Sequence, residues 1–136
     1  MTLVLKAVLT ALVVVVAIPA AVLAVLISYA DDSCGNTIHA VYLSPDQSQQ
    51  AVVFERSCGA TTGFSTQVSV LKSQQTLPND KGNIYIIAGH PQQVAPDIAW
   101  LADNKLLIKN PLTGAEFKAA THFGWRHPIE VVYGTE

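Results

Sequence analysis

The sequence predicts an all-β domain, an antiparallel meander forming a small sandwich or curled sheet, preceded by one N-terminal transmembrane helix. Three observations carry this expectation. Residues 7–30 (AVLTALVVVVAIPAAVLAVLISYA) contain no charged side chain, and an apolar run of about 20 residues is what a helix needs to cross a bilayer core. From residue 37 onward, short runs alternate apolar and polar side chains, the period of a half-buried strand. Clusters of Pro, Gly, Asn, Asp and Ser separate those runs. A chain of 136 residues accommodates one such domain.

Residues 1–6 are expected to form a short cytoplasmic N-terminus and residues 7–30 a transmembrane helix or signal anchor. Pro19 falls inside the span, where lipid-embedded helices tolerate a kink. A signal peptide cut near Ala30 is the alternative, because Ser28-Tyr29-Ala30 supplies small residues and Lys6 a positive leader. The apolar run exceeds the usual signal core of about 7–15 residues, which favours an anchor. Lys6 precedes the span while Asp31 and Asp32 follow it, so residues 31–136 are placed outside the cytoplasm. Both cysteines, Cys34 and Cys58, lie in that exported part. An even pair in an oxidising compartment predicts a disulfide. A redox pair would want Cys-x-x-Cys spacing, and two thiols fall short of a four-ligand zinc set.

The first strand is expected over Thr37–Leu43 and the second over Gln49–Arg56, joined by the turn Ser44-Pro45-Asp46-Gln47. Phe64–Leu71 is the clearest strand: Phe64, Thr66, Val68 and Val70 share one face, and Ser65, Gln67 and Ser69 the other, read as solvated. Residues 72–82 read as a polar loop. Further strands follow at Asn83–Ala88, Asp97–Leu101 and Lys105–Lys109, the last two flanking the short connection Ala102-Asp103-Asn104. Gly114–Ala119 and Ile129–Val132 are weaker strand signals. The expected core is Val52, Phe54, Phe64, Val68, Val70, Ile86, Trp100, Leu106 and Ile108.

Known chemistries find little support. The net charge is −2, with charged residues scattered, so no basic footprint for nucleic acid is present. Gly63-Phe64-Ser65-Thr66-Gln67 lacks the second glycine of a hydrolase elbow, and a strand rather than a helix follows. Gly59 and Gly63 are too close for a phosphate loop, although backbone N–H groups there could form a small anion nest. His39, His90, His122 and His127 follow no zinc spacing. Glu55 and Glu130 alternate with strand hydrophobics, as on a solvated face. No catalytic residue, metal site or cofactor is expected. Candidate binding residues are Ala60, Thr61, Thr62 and Phe64 in the Cys58–Phe64 turn, with Trp125 and Arg126. Trp and Arg are favoured interface anchors; a loop tryptophan more often plugs the end of a sandwich, the expectation held for Trp125.

The stretch Glu55–Leu71, with its run Cys-Gly-Ala-Thr-Thr-Gly-Phe-Ser-Thr-Gln-Val-Ser, resembles a family of short bacterial envelope proteins carrying an N-terminal membrane or export segment. Cys34-Gly35-Asn36, Ser44-Pro45-Asp46, Ala51–Phe54, Leu77-Pro78-Asn79 and Gly82-Asn83 share in the resemblance, which covers most of residues 34–108. Related sequences commonly read Ser-Pro-Asp-Gly at the first turn, where this chain has Gln47. The resemblance implies a bacterial envelope protein and supplies no catalytic residue. With the apolar span and its flanking charges, the expectation is a single-pass protein of the bacterial plasma membrane whose domain lies in the periplasm or outside the cell. The expected function is binding, to the membrane through residues 7–30 and to another envelope protein through the β-domain. An inhibitor or immunity-type protein that blocks an envelope-targeted enzyme, and a small hydrolase with a dispersed site, are the alternatives.

Overall fold

The computed structural model describes residues 2–135, and the chain divides into two compact units with the boundary between Ser33 and Cys34. The first unit is one helix, α1 (Thr2–Asp32), with Pro19 inside it. It begins earlier than the expected span. Over Thr2–Tyr29 it is long and apolar enough to cross a membrane or to act as a signal, and its side chains are exposed. Two of its hydroxyls, those of Thr10 and Ser28, are satisfied within the helix. Thr10 donates to the carbonyls of Lys6 and Ala7, and Ser28 to that of Ala24. That is the condition lipid imposes on polar groups.

The second unit is all-β, as expected, and holds two sheets. The first has the order β1 (Gly35–Leu43), β2 (Gln49–Ser57), β3 (Ser65–Lys72), β4 (Tyr85–Ala88) and β7 (Lys118–Ala119), every pair antiparallel. The second has the order β5 (Ile98–Ala102), β6 (Lys105–Ile108), β9 (Ile129–Tyr133) and β8 (His122–Phe123). A single turn of helix, α2 (Pro91–Val94), links β4 to β5. The meander breaks in two places: β7 returns beside β4, and β6 and β9 run parallel, Leu106 facing Val131. The chain reaches β9 through residues 109–128, a crossover long enough to reverse direction, as parallel pairing requires. The Gly114–Ala119 strand shrinks to its last two residues, and β8 is a strand that the alternation did not reveal.

The inward face of the first sheet carries Ala51, Val53, Val68, Val70 and Tyr85 against Ile98, Leu106, Ile108, Ile129 and Val131 of the second. Register explains the selection: Val53 faces Val68, and Ala51 faces Val70, so alternate residues line one layer. Tyr133 closes this core, its hydroxyl donating to the carbonyl of Ala120 at 2.8 Å. Burial, with the neighbouring Tyr85 and Glu116, pushes that phenol up to about 12. Trp100 and Ile86 are only partly buried; the indole N–H of Trp100 donates to Tyr42 O at 2.9 Å and ties β5 to the edge of β1. Phe64 departs from the expected core. It precedes β3, stands 50% exposed, and meets His90 edge-on at 5.4 Å.

The Ser65, Gln67 and Ser69 face of β3 is expected to meet solvent; a strap over residues 73–83 covers it instead, together with the face of β2 that carries Val52 and Phe54. Val52, Phe54 and Leu71 form a small second core under Leu77. The polar alternates seat the strap backbone: Gln67 Oε1 accepts from Gly82 N, and Ser69 Oγ accepts from Asn83 N at 3.1 Å. Gly82 lies so close to β3 that a Cβ would fall 2.8 Å from Tyr85 O and 2.9 Å from Gln67 Cβ. Polar alternation therefore marks a strap seat here, because a loop laid over a sheet still needs partners for its backbone.

Candidate functional site

Gly35 faces Ser57 in the β1–β2 register, so Cys34 and Cys58 stand opposite each other just beyond it and form the expected disulfide. It closes the hairpin at the end away from the Ser44–Ser48 turn. The chain leaving Cys58 turns through Gly59 at φ +113°. Thr62 returns both its N–H and its hydroxyl to Gly59 O, at 3.2 and 3.1 Å. This compact turn leaves Ala60, Thr61 and Thr62 exposed.

The other predicted residues scatter. Trp125 and Arg126 lie in the loop between β8 and β9, where Trp125 is 95% exposed. The expected plug is therefore overturned: the sandwich end is closed by Tyr133 and Phe123, which pack on the core. Among the described residues, no hydrogen bond or ring contact joins Trp125 to the Cys58–Phe64 turn. Glu55 is not on a solvated face either. It lies on the inward face at the sheet's end, where His90 Nε2 approaches its Oε2 at 2.7 Å. His90 Nδ1 accepts from Gln92 N at 3.2 Å, capping α2. Both ring nitrogens are thus engaged, so His90 clasps β2 to α2 and offers no free nitrogen to activate a nucleophile. Glu130 pairs with Lys105 at 3.3 Å across the β6–β9 ladder, both side chains partly exposed. Among the described residues, no three His, Cys, Asp or Glu side chains converge.

What gathers beside the turn is a group of residues that sequence reasoning missed. Arg56 on β2 lies between Asn36 of β1 and Ser65 of β3 on the strap-covered face. It is 5% exposed. Its Nη1 donates to Asn36 Oδ1 at 2.8 Å and to Asn79 Oδ1 of the strap at 3.1 Å. Asn79 Nδ2 in turn donates to Cys34 O, and Asn36 Nδ2 to the carbonyls of Pro78 and Asp80. Arg56 therefore sits where strap, edge strand and disulfide meet. In front of it lies a cavity of about 320 Å³ whose walls include Cys58, Thr62, Lys81, Ile86 and Phe117, with no acidic residue. The available signal was register. Arg56 shares its face with Val52 and Phe54, both buried, so a strand alternation that buries them buries the arginine too.

A second surface stands on β1, the edge strand of its sheet. Ile38, Val41 and Leu43 project on the outer face beside Phe54, Val52 and Gln50, and each is about half exposed. A β-bulge at His39 keeps all three on one side.

No known protein-family model, curated protein or solved structure matches this chain.

Proposed function

We propose that the protein is a membrane-anchored binding module whose β-domain works outside the cytoplasm, against another protein of the bacterial envelope. The apolar strip Ile38, Val41 and Leu43 carries this reading. Three branched aliphatic side chains lie side by side on an edge strand, about half exposed, beside a strap rich in polar groups. A contiguous apolar patch with a polar rim is the signature of a protein-binding surface. The apolar helix and the disulfide support the location, since thiols pair stably in an oxidising compartment.

The test is in-cell photo-crosslinking with the probe placed at Val41 or Leu43, at Thr61, and at Gln92 as a control. One discrete envelope protein captured from β1 and not from Gln92 is the expected result. Equal capture from all positions, or none from β1, overturns the reading. A reporter fused at the C-terminus checks the location separately, and activity only in the cytoplasm would reverse it.

A further inference from the structure

We propose that Arg56 anchors a binding site for a small carboxylate with an apolar body. Burying a guanidinium costs several kcal/mol unless its charge and donors are matched. Here the matching is partial. The two oxygens on Nη1 belong to neutral amides, and the closed-over Nε–H has no acceptor. Among the described residues, no carboxylate lies within ion-pair distance of Arg56. Glu55, its neighbour in sequence, points to the opposite face and meets His90. Nη2 is the nitrogen left for an acceptor from outside.

The space in front of Arg56 fits that acceptor. A volume of about 320 Å³ lies at the small end of ligand sites. Its hydroxyls are already committed. Ser65 Oγ donates to Arg56 O and accepts from Gln67 Nε2, while Thr62 Oγ1 donates to Gly59 O. What the cavity offers is positive charge, from Arg56 and from exposed Lys81, above an apolar wall of Ile86 and Phe117. One buried cation and one exposed one suit a monoanion; a phosphate dianion would hold oxygens with no donor to meet them. A carboxylate oxygen on Nη2 supplies the missing countercharge, Lys81 closes over it, and the apolar body covers Phe117, which is otherwise 74% exposed. A role for Arg56 purely as a clamp on the strap accounts for Nη1 and leaves the unmatched charge and the exposed phenyl ring without explanation. A free organic acid and the C-terminus of a peptide present the same chemistry. The site stands independently of the apolar strip on β1.

The full chain in detergent micelles is titrated with phenylacetate while the Arg56 side-chain N–H resonances are followed by NMR. Saturable shifts are expected with phenylacetate and none with 2-phenylethanol, which has the same ring without the charge. Acetyl-Ala-Phe with a free C-terminus, compared with its amide, separates the sources: tighter binding than phenylacetate points to a peptide end, weaker binding to a free acid. Phe117→Ala is expected to weaken phenylacetate by about 5-fold and Lys81→Ala by about 3-fold. Both residues are exposed, so the thermal midpoint without ligand should not move; Arg56→Gln should abolish saturation. Equal binding of 2-phenylethanol or of sulfate overturns the proposal. So does the absence of saturation up to roughly 20 mM, the range of a weak small-molecule site, or undiminished affinity in both surface variants.

Discussion

Gln47 has a left-handed backbone, φ 59°, at the tip of the β1–β2 turn. Asp46 imposes it: its carboxylate accepts from Ser44 Oγ, Ser48 N and Ser48 Oγ, at 2.7 to 3.0 Å. An L-residue in that region costs about 1–2 kcal/mol, and glycine escapes the cost. A glycine at this position would give the unstrained version of the turn. Gln47→Gly is expected to stabilise the β-domain by roughly 0.5–1 kcal/mol, the relief being partly offset by glycine's greater freedom when unfolded. Urea denaturation of the full chain in micelles, read by Trp100 in a Trp125→Phe background, measures it, and a loss of stability would refute the strain. This turn was legible from Ser-Pro-Asp alone. Arg56 was not, because a charged residue at the end of a strand reads as solvated until the strap that buries it is known.

The strap itself depends on Asn83, which extends the sheet just before β4 begins. Its Oδ1 accepts from Val70 N and its Nδ2 donates to Val70 O, both at 2.8 Å, so a side-chain amide takes the place of the next strand residue. Val70 is almost wholly buried, and losing the amide orphans one donor and one acceptor. Each orphan costs about 1–3 kcal/mol. Asn83→Ala is therefore expected to destabilise by roughly 2–4 kcal/mol, and Asn83→Asp by less, since one oxygen still accepts. Equal stability of all three proteins by the same urea assay would contradict the pairing. The strands that could be read in sequence, β1 to β6 and β9, are those of four residues or more with an apolar run or alternation of their own. Residues 73–82 could not be read as structure because most of their contacts lie in backbone groups and side-chain amides, which leave no hydrophobic period. Short β7 and β8 likewise owe their existence to pairing, with β4 and β9 respectively.

For the β-domain as a body, stability should fall at both ends of the pH range, for different reasons. Asp46 is held below its ordinary value by the Ser44 hydroxyl and the Ser48 N–H and hydroxyl, and Glu116 by the Thr113 and Gly114 backbone and the Thr113 hydroxyl. A depressed folded pKa stabilises above the unfolded value, so this contribution is present at neutral pH and is lost as pH falls below about 4. Tyr133 has the opposite sign. Its phenol titrates near 10.0 when unfolded and about 12 when folded. The protonated form is the one the fold holds, donating to Ala120 O where β9 meets the chain entering β8. That contribution is complete below pH 10.0 and disappears as pH rises toward 12. Tyr85, raised by burial and by Glu116, adds to the same alkaline limb. Tyr133→Phe removes the donor, so at neutral pH it should cost about 1 kcal/mol, while stability between pH 10 and 12 should become flatter than in the parent protein. Urea midpoints taken across that interval distinguish the two proteins. Parallel curves would mean that the closure of the core does not depend on the Tyr133 proton. A flatter curve in the variant would place the alkaline weak point where the two sheets are sealed, while the Cys34–Cys58 bridge, which does not titrate, still holds the far end of the β1–β2 hairpin.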